Sequence, residues 1–126
     1  MTPFNPHRGV IEIKGRIDGP QAPAFVNLAL DTGATITIVR PSILVAAGYD
    51  PALAKRRIAI TTATEVEFPA LIRLEKFSVL GQERADFPVL AHATPPSAGL
   101  DGLLGLDFLR GLSLTIDFRS GQISLS

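Results

Sequence analysis

The sequence predicts an all-β domain with one or two short helices, and three observations lead there. Apolar and polar residues alternate with period two over most of the chain, as half-buried strands require. The 11 glycines and 10 prolines are scattered rather than clustered, which fits many turns between short elements. Only two short stretches break the alternation, and both carry helix-boundary residues.

Residues 10–17 alternate apolar with polar after Val10 and form the first expected strand. Asp18-Gly19-Pro20 supplies a turn. Residues 25–30 are a mostly apolar run that stops at Asp31-Thr32-Gly33, and residues 36–39 resume as a β-branched strand. Residues 41–48 open on Pro41 and close on Gly48, the placement that brackets a short helix. A second helix is expected over residues 103–110, closed by Gly111. Between the helices, residues 57–66, 66–79 and 84–90 read as consecutive antiparallel strands. The turn Leu80-Gly81-Gln82-Glu83 joins the last two. Residues 112–117 and 122–125 make a final hairpin around Arg119-Ser120-Gly121. Residues 92–99, with Pro95-Pro96, read as a loop without internal structure. No repeat, low-complexity tract or linker divides the chain, so residues 1–126 are expected to be one domain.

Composition narrows the function. The 126 residues carry 12 Lys+Arg and 12 Asp+Glu, a formal net charge of +0 that offers no attraction to nucleic acid or an anionic membrane. A hydrophobic fraction of 46% on a neutral chain leaves apolar surface for a subunit interface. There is no cysteine, which excludes disulfides, thiolate metal sites and a cysteine nucleophile. No apolar run reaches the roughly 18–20 residues that span a bilayer. Residues 1–8 lack the apolar segment of a signal peptide, so the expectation is a soluble cytoplasmic protein.

Most acidic residues sit where a solvated strand face or a turn would place them: Asp18, Asp50, Glu65, Glu67, Glu75 and Glu83. Asp31 does not. It follows the apolar run directly, so its carboxylate should be partly desolvated. Gly33 permits a tight turn, and Ala34 is small enough for another backbone to approach. The bland reading is an Asp-initiated turn, and a D-[ST]-G tripeptide arises by chance in roughly one chain of this length in twenty. A second signal accompanies it: Leu103-Leu104-Gly105, an apolar pair closing on glycine just before a helix.

The D-T-G-A-T of residues 31–35 followed by the L-L-G of residues 103–105 resembles the retropepsin-like aspartic proteases, the single-domain relatives of pepsin. The strings over residues 100–109 and 114–125 are similar to those of bacterial single-domain members. The resemblance runs from about residue 10 to the end. It implies a closed β-barrel of short antiparallel strands with a flap hairpin, acting as a homodimer on polypeptide substrates. In the family, Asp31 would face its copy across the dimer axis, where two carboxyls that close share a proton. One would act as base towards water and the other as acid towards the scissile carbonyl. Water is the nucleophile, so the resemblance implies no metal and no cofactor. One D-T-G per chain, where the chemistry needs two, implies the dimer.

Further roles follow from the resemblance. Thr32 would brace the two loops across the axis, and Gly33 would offer its carbonyl to substrate. Ala34 and Thr35 would border the cleft, and Leu103, Leu104 and Gly105 would form a structural psi-loop. Retroviral members carry Asp at the position of Thr35 and Arg at that of Leu106, so that ion pair is absent here. The flap should lie within residues 58–68, with Thr62, Ala63 and Thr64 at its tip and against substrate, although no glycine stands there.

Other polar residues read as structural. Asp107 belongs near a helix start, Asp101-Gly102 in a turn, and Asp117 on a solvated or interfacial strand face. His7 and His92 lie apart, without metal-ligand spacing. Lys55-Arg56-Arg57 is too short for a nucleic-acid patch. Two competing readings stay open. One is a protease-fold binding or dimerisation module that keeps Asp31 without turnover, favoured by the glycine-free flap. The other is an unrelated barrel or sandwich in which D-T-G and L-L-G coincide by chance.

Overall fold

The computed structural model describes residues 1–94 and 99–126. The strands are β1 (Thr2–Pro3), β2 (Glu12–Asp18), β3 (Pro23–Leu30), β4 (Ile38–Val39), β5 (Arg56–Arg57), β6 (Ile60–Thr61), β7 (Val66–Glu67), β8 (Ala70–Val79), β9 (Gln82–Ala91), β10 (Gly102–Leu104), β11 (Leu114–Asp117) and β12 (Gln122–Leu125). The helices are α1 (Pro41–Ala47) and α2 (Leu106–Leu109), with a 3-10 turn over Pro51–Leu53.

One sheet runs β2-β3-β10-β4-β9-β8-β5, and β2 also pairs with β8. Six strands therefore close into a barrel, and β5 hangs on the outside of β8. Period-two alternation explains which face is inside. In β2, Ile13 and Ile17 are buried while Lys14 and Arg16 face water, and β3 matches with Val26 and Leu28. Gly15 sits opposite Val26, where a Cβ would lie 3.2 Å from side chains of Val26, Leu28 and Val79. The barrel floor is a cluster of three rings, Phe77, Phe87 and Phe108, with centroids 5.4 to 5.7 Å apart. Burying each ring contributes about 1.5–3 kcal/mol.

The β8–β9 hairpin turns on Leu80 and Gly81, whose φ values of 50° and 79° suit a two-residue hairpin turn. Lower down, the ladder skips the Glu75–Asp86 pair, where Asp86 has φ 52°. The Glu75 N–H instead donates to the Tyr49 hydroxyl at 2.8 Å, which itself donates to the Asp18 carbonyl at 2.8 Å. That exchange pins the loop after α1 to two strands. Helix α1 starts on Pro41 and ends at Gly48, left-handed at φ 102°, as its sequence predicts.

Several sequence expectations change. The strands expected over residues 57–66 and 66–79 are broken, the first into β5 and β6 and the second into β7 and β8. The helix predicted over residues 103–110 is only Leu106–Leu109, because Leu103 and Leu104 pair in parallel with β3. Asp101 is not in an exposed turn: it is buried, and Gly102 opens β10. The N-terminal segment, for which the sequence predicts no element, contributes β1, which pairs with β12 in a separate sheet of order β1-β12-β11. Phe4 anchors it, buried and edge-on to Phe118 at 5.5 Å. Of the loop expected over residues 92–99, residues 95–98 lie outside the described residues.

Candidate active site

Asp31 stands just beyond the end of β3, half-buried, with Thr32 and Gly33 exposed beside it. Its placement follows from the parallel pairing of β3 with β10. The Asp31 N–H donates to the Leu104 carbonyl at 3.0 Å, continuing the ladder one step past Leu30. The chain then turns back, and the Ala34 N–H donates to the Asp31 carbonyl at 3.1 Å. The Gly33 N–H donates to Asp31 Oδ1 at 2.9 Å, orienting the carboxylate from below. A Cβ at residue 33 would lie 3.1 Å from that oxygen, so a side chain there would crowd the same bond.

The second motif packs against this loop. The Leu106 N–H donates to the Ala34 carbonyl at 2.8 Å. Gly105 must lack a side chain, because a Cβ would sit 2.8 Å from that same carbonyl oxygen. Deeper in, the Thr37 hydroxyl accepts the Gly105 N–H at 3.1 Å and donates to Asp107 Oδ1 at 2.7 Å. Asp107 also accepts the Thr37 N–H at 3.0 Å and the Phe108 N–H at 2.9 Å. Loop and helix are thus braced by hydrogen bonds through Thr37. Thr35 is exposed on the loop's outer side.

On the other side, buried Asp101 clamps β3. Its Oδ2 accepts the Asn27 N–H at 2.8 Å, its N–H donates to the Asn27 carbonyl at 2.7 Å, and its Oδ1 pairs with Arg40. Sequence reasoning missed this role; the only local hint is an Asp immediately before a Gly that opens a strand. Gly102 is required by contact, since a Cβ would meet the Ile38 carbonyl oxygen at 2.0 Å.

Beside Asp31 lies a cavity of about 470 Å³ walled by Val10, Ile11, Leu30, Thr94, Leu100 and Leu103. Its wall comes from four separate parts of the chain, three of them apolar and the fourth Thr94, so no local pattern marks it apart from Leu103. A cavity of about 510 Å³ lies elsewhere, between β1 and β2, and Asp31 does not line it.

Thr62, Ala63 and Thr64 lie at the turn of the β6–β7 hairpin, where the flap is expected. The Thr62 N–H donates to the Glu65 carbonyl at 2.8 Å, and the Thr62 hydroxyl accepts the Glu65 N–H at 3.1 Å. A side-chain oxygen therefore helps the backbone close this turn. The structure brings residues 31–35 together with 103–105. It shows no hydrogen bond from the hairpin tip to the Asp31 loop among the described residues.

Among the described residues, no group of three or more His, Asp or Glu could hold a metal ion, and no helix is long and apolar enough to cross a membrane.

Comparisons with known proteins agree with this geometry. The chain is similar in structure to a retropepsin-like aspartic protease from Rickettsia conorii, with a TM-score of 0.71 at 18% identity, over 98% of this chain and 90% of that one. It is also similar to the Simian Foamy Virus (mac) protease, with a TM-score of 0.50 at 21% identity, over 75% of this chain and 86% of that one. No curated protein matches the sequence. The sequence pattern of the aspartyl protease family matches residues 13–108, a span that holds the Asp31 loop, the β6–β7 hairpin and the strand and helix that brace them. The barrel is retropepsin-like, and the chain belongs to the aspartyl protease family.

Proposed function

We propose that the protein is an aspartic endopeptidase that works as a homodimer, each copy contributing Asp31 to a shared dyad. The observation that carries this reading is the placement of Asp31. A half-buried carboxylate, oriented by the Gly33 N–H and held on the Leu104 ladder, borders an apolar cavity open to solvent. A single such carboxylate per chain supports a two-fold dimer, because the chemistry needs one acid and one base. Thr32 and Gly33, exposed beside it, would brace the partner loop and receive the substrate backbone. Ala34 and Thr35 would border the cleft, with Thr62, Ala63 and Thr64 closing over it. The apolar wall supports extended segments with apolar residues flanking the cut.

A second reading, a peptide-binding or dimerisation module without turnover, draws on the hairpin. Its turn is closed by the Thr62 hydroxyl and not by a glycine. Peptide-library cleavage from pH 4 to 7, wild type beside Asp31→Asn, separates the two. Cuts made by wild type alone establish the peptidase. Equal retention of peptide by both proteins, with no new termini, establishes the module.

A further inference from the structure

The formal charge of the chain is +0, but its cations are not spread evenly. Four of the 12 Lys+Arg, at Lys55, Arg56, Arg57 and Arg73, meet where β5 pairs with β8. Arg56 stands opposite Leu71 in that ladder, and Arg73, two residues further along β8, points to the same face as Leu71. Lys55, Arg56, Leu71 and Arg73 wall a cavity of about 250 Å³ at this edge. None of these residues also walls the cavity beside Asp31.

The cations are only partly engaged within the fold. Arg57 is engaged: its guanidinium donates to the Phe68 and Pro51 carbonyls, each at 3.1 Å, and ties the segment after β7 to the 3-10 turn. Arg73 donates to the Asp86 carbonyl at 3.1 Å and to its carboxylate at 3.3 Å. Both side chains are more than half exposed, so water screens that pair and Arg73 stays open to a second anion. Lys55 and Arg56 are exposed and form no ion pair among the described residues. Of the acids nearest β5 in the chain, Asp50 caps the 3-10 turn by accepting the Ala52 N–H, and Glu67 is bonded to His92. Asp86 and the exposed Glu75 therefore leave positive charge in excess around the cavity.

An apolar margin adjoins it. Leu53 in the 3-10 turn and Phe68 after β7 are both exposed, and Arg57 fastens the backbone of their two segments together. β5 is the last strand of its sheet, so one of its sides is open. Charge on an edge strand disfavours pairing with apolar or like-charged strands, and a strand of opposite charge escapes that penalty. Extended peptides dock on such edges through main-chain hydrogen bonds.

We infer that Lys55, Arg56 and Arg73 form a docking surface for an acidic stretch of an extended polypeptide, whose carboxylates enter the basic cavity and whose apolar side chains rest on Leu53 and Phe68. Charge complementarity selects this occupant. Its carboxylates would meet the unpaired Lys55 and Arg56 and share Arg73 with Asp86. The inference rests on the reading that the protein takes polypeptides, and it adds a recognition element outside the cavity beside Asp31.

The test is fluorescence anisotropy with a labelled extended peptide carrying Glu at alternate positions, beside a twin with Gln for each Glu. Asp31→Asn protein is used so that the probe stays intact. The Glu peptide should bind at least about tenfold tighter than its twin at about 50 mM salt, with the gap shrinking at about 300 mM. Lys55→Glu with Arg56→Glu should abolish that preference and favour a Lys twin instead. Lys14→Glu with Arg119→Glu, the same charge change at exposed cations elsewhere, should leave it intact. Circular dichroism confirms that each variant is folded. Three results would overturn the docking surface: no preference for Glu over Gln, equal loss in the two double variants, or equally tight binding of single-stranded DNA of the same charge. Binding is read without turnover, so the two proposals fail separately. A Glu preference with no cuts in the library experiment sinks the peptidase alone, and cuts with no Glu preference sink the docking surface alone.

Discussion

The Thr37 hydroxyl donates to Asp107 Oδ1 at 2.7 Å across 70 residues of chain. Thr37 is fully buried, and the same hydroxyl accepts the Gly105 N–H. One side chain therefore joins the strand leaving the Asp31 loop to the turn before α2 and to the acid in its first turn.

Thr37→Val keeps the shape and removes this junction. It leaves a buried Gly105 N–H without an acceptor and takes one donor from Asp107, which keeps the Thr37 and Phe108 N–H groups. The cost should be about 1–3 kcal/mol, read as a lower denaturation midpoint with an unchanged denaturant slope. Because the loop carries Asp31, any peptidase activity should fall by more than the loss of folded protein explains.

Gly102→Ala should be far worse than its size suggests. The added Cβ would lie 2.0 Å from the Ile38 carbonyl oxygen, which belongs to the adjacent strand β4 and cannot swing aside. The expected outcome is failure to accumulate folded protein, seen by circular dichroism and size-exclusion chromatography. Gly9→Ala, with nothing within 4 Å of the new Cβ, should be close to neutral and provides the comparison.

The C-terminal hairpin should carry an acid-dependent contribution. The Ser120 backbone N–H first, then its hydroxyl and the Arg119 N–H, hold the Asp117 carboxyl below its ordinary value of 3.8. A depressed folded value means that the stabilisation is fully present above that ordinary value and is lost as pH falls through the lower, folded one. Asp117→Asn should therefore melt lower than wild type at pH 6, and the gap should close towards pH 2. Differential scanning calorimetry at the two pH values reads both arms.

Thr62→Val should loosen the β6–β7 turn. It removes the oxygen that accepts the Glu65 N–H at 3.1 Å, and no glycine is present to take over by backbone geometry. Faster amide exchange at Thr64 and Glu65 is expected, with global stability changed by less than about 1 kcal/mol, the usual net worth of one hydrogen bond. An unchanged exchange rate would show that the backbone bond from Thr62 to Glu65 closes the turn alone.

Much of this architecture is legible in the chain because its signals are local. Alternation in residues 10–17 marks β2, Pro41 and Gly48 bracket α1, and Leu80-Gly81 marks the turn between the two longest strands. The D-T-G of residues 31–33 at the end of an apolar run locates the candidate site before any coordinates exist. The misreadings share a cause. Leu103-Leu104 is as apolar as a helix segment, and only the partners supplied by Leu28, Ala29 and Leu30 make it a strand. The two residues of β1 carry no pattern, and their order comes from Gln122 and Ile123 at the far end of the chain.

By itself, then, the sequence determined the β class, the turns, the one carboxylate set apart from the rest, and the family. The tertiary structure alone decided that Asp101 is a brace and not a turn acid, and which groups Asp107 braces. It also decided that the wall beside Asp31 is assembled from four stretches, and that His92 meets Glu67 on the hairpin. The physical reason is that strand alternation and turn conformation depend on neighbours in the chain. A hydrogen bond across 70 residues depends on which strands the barrel has placed side by side.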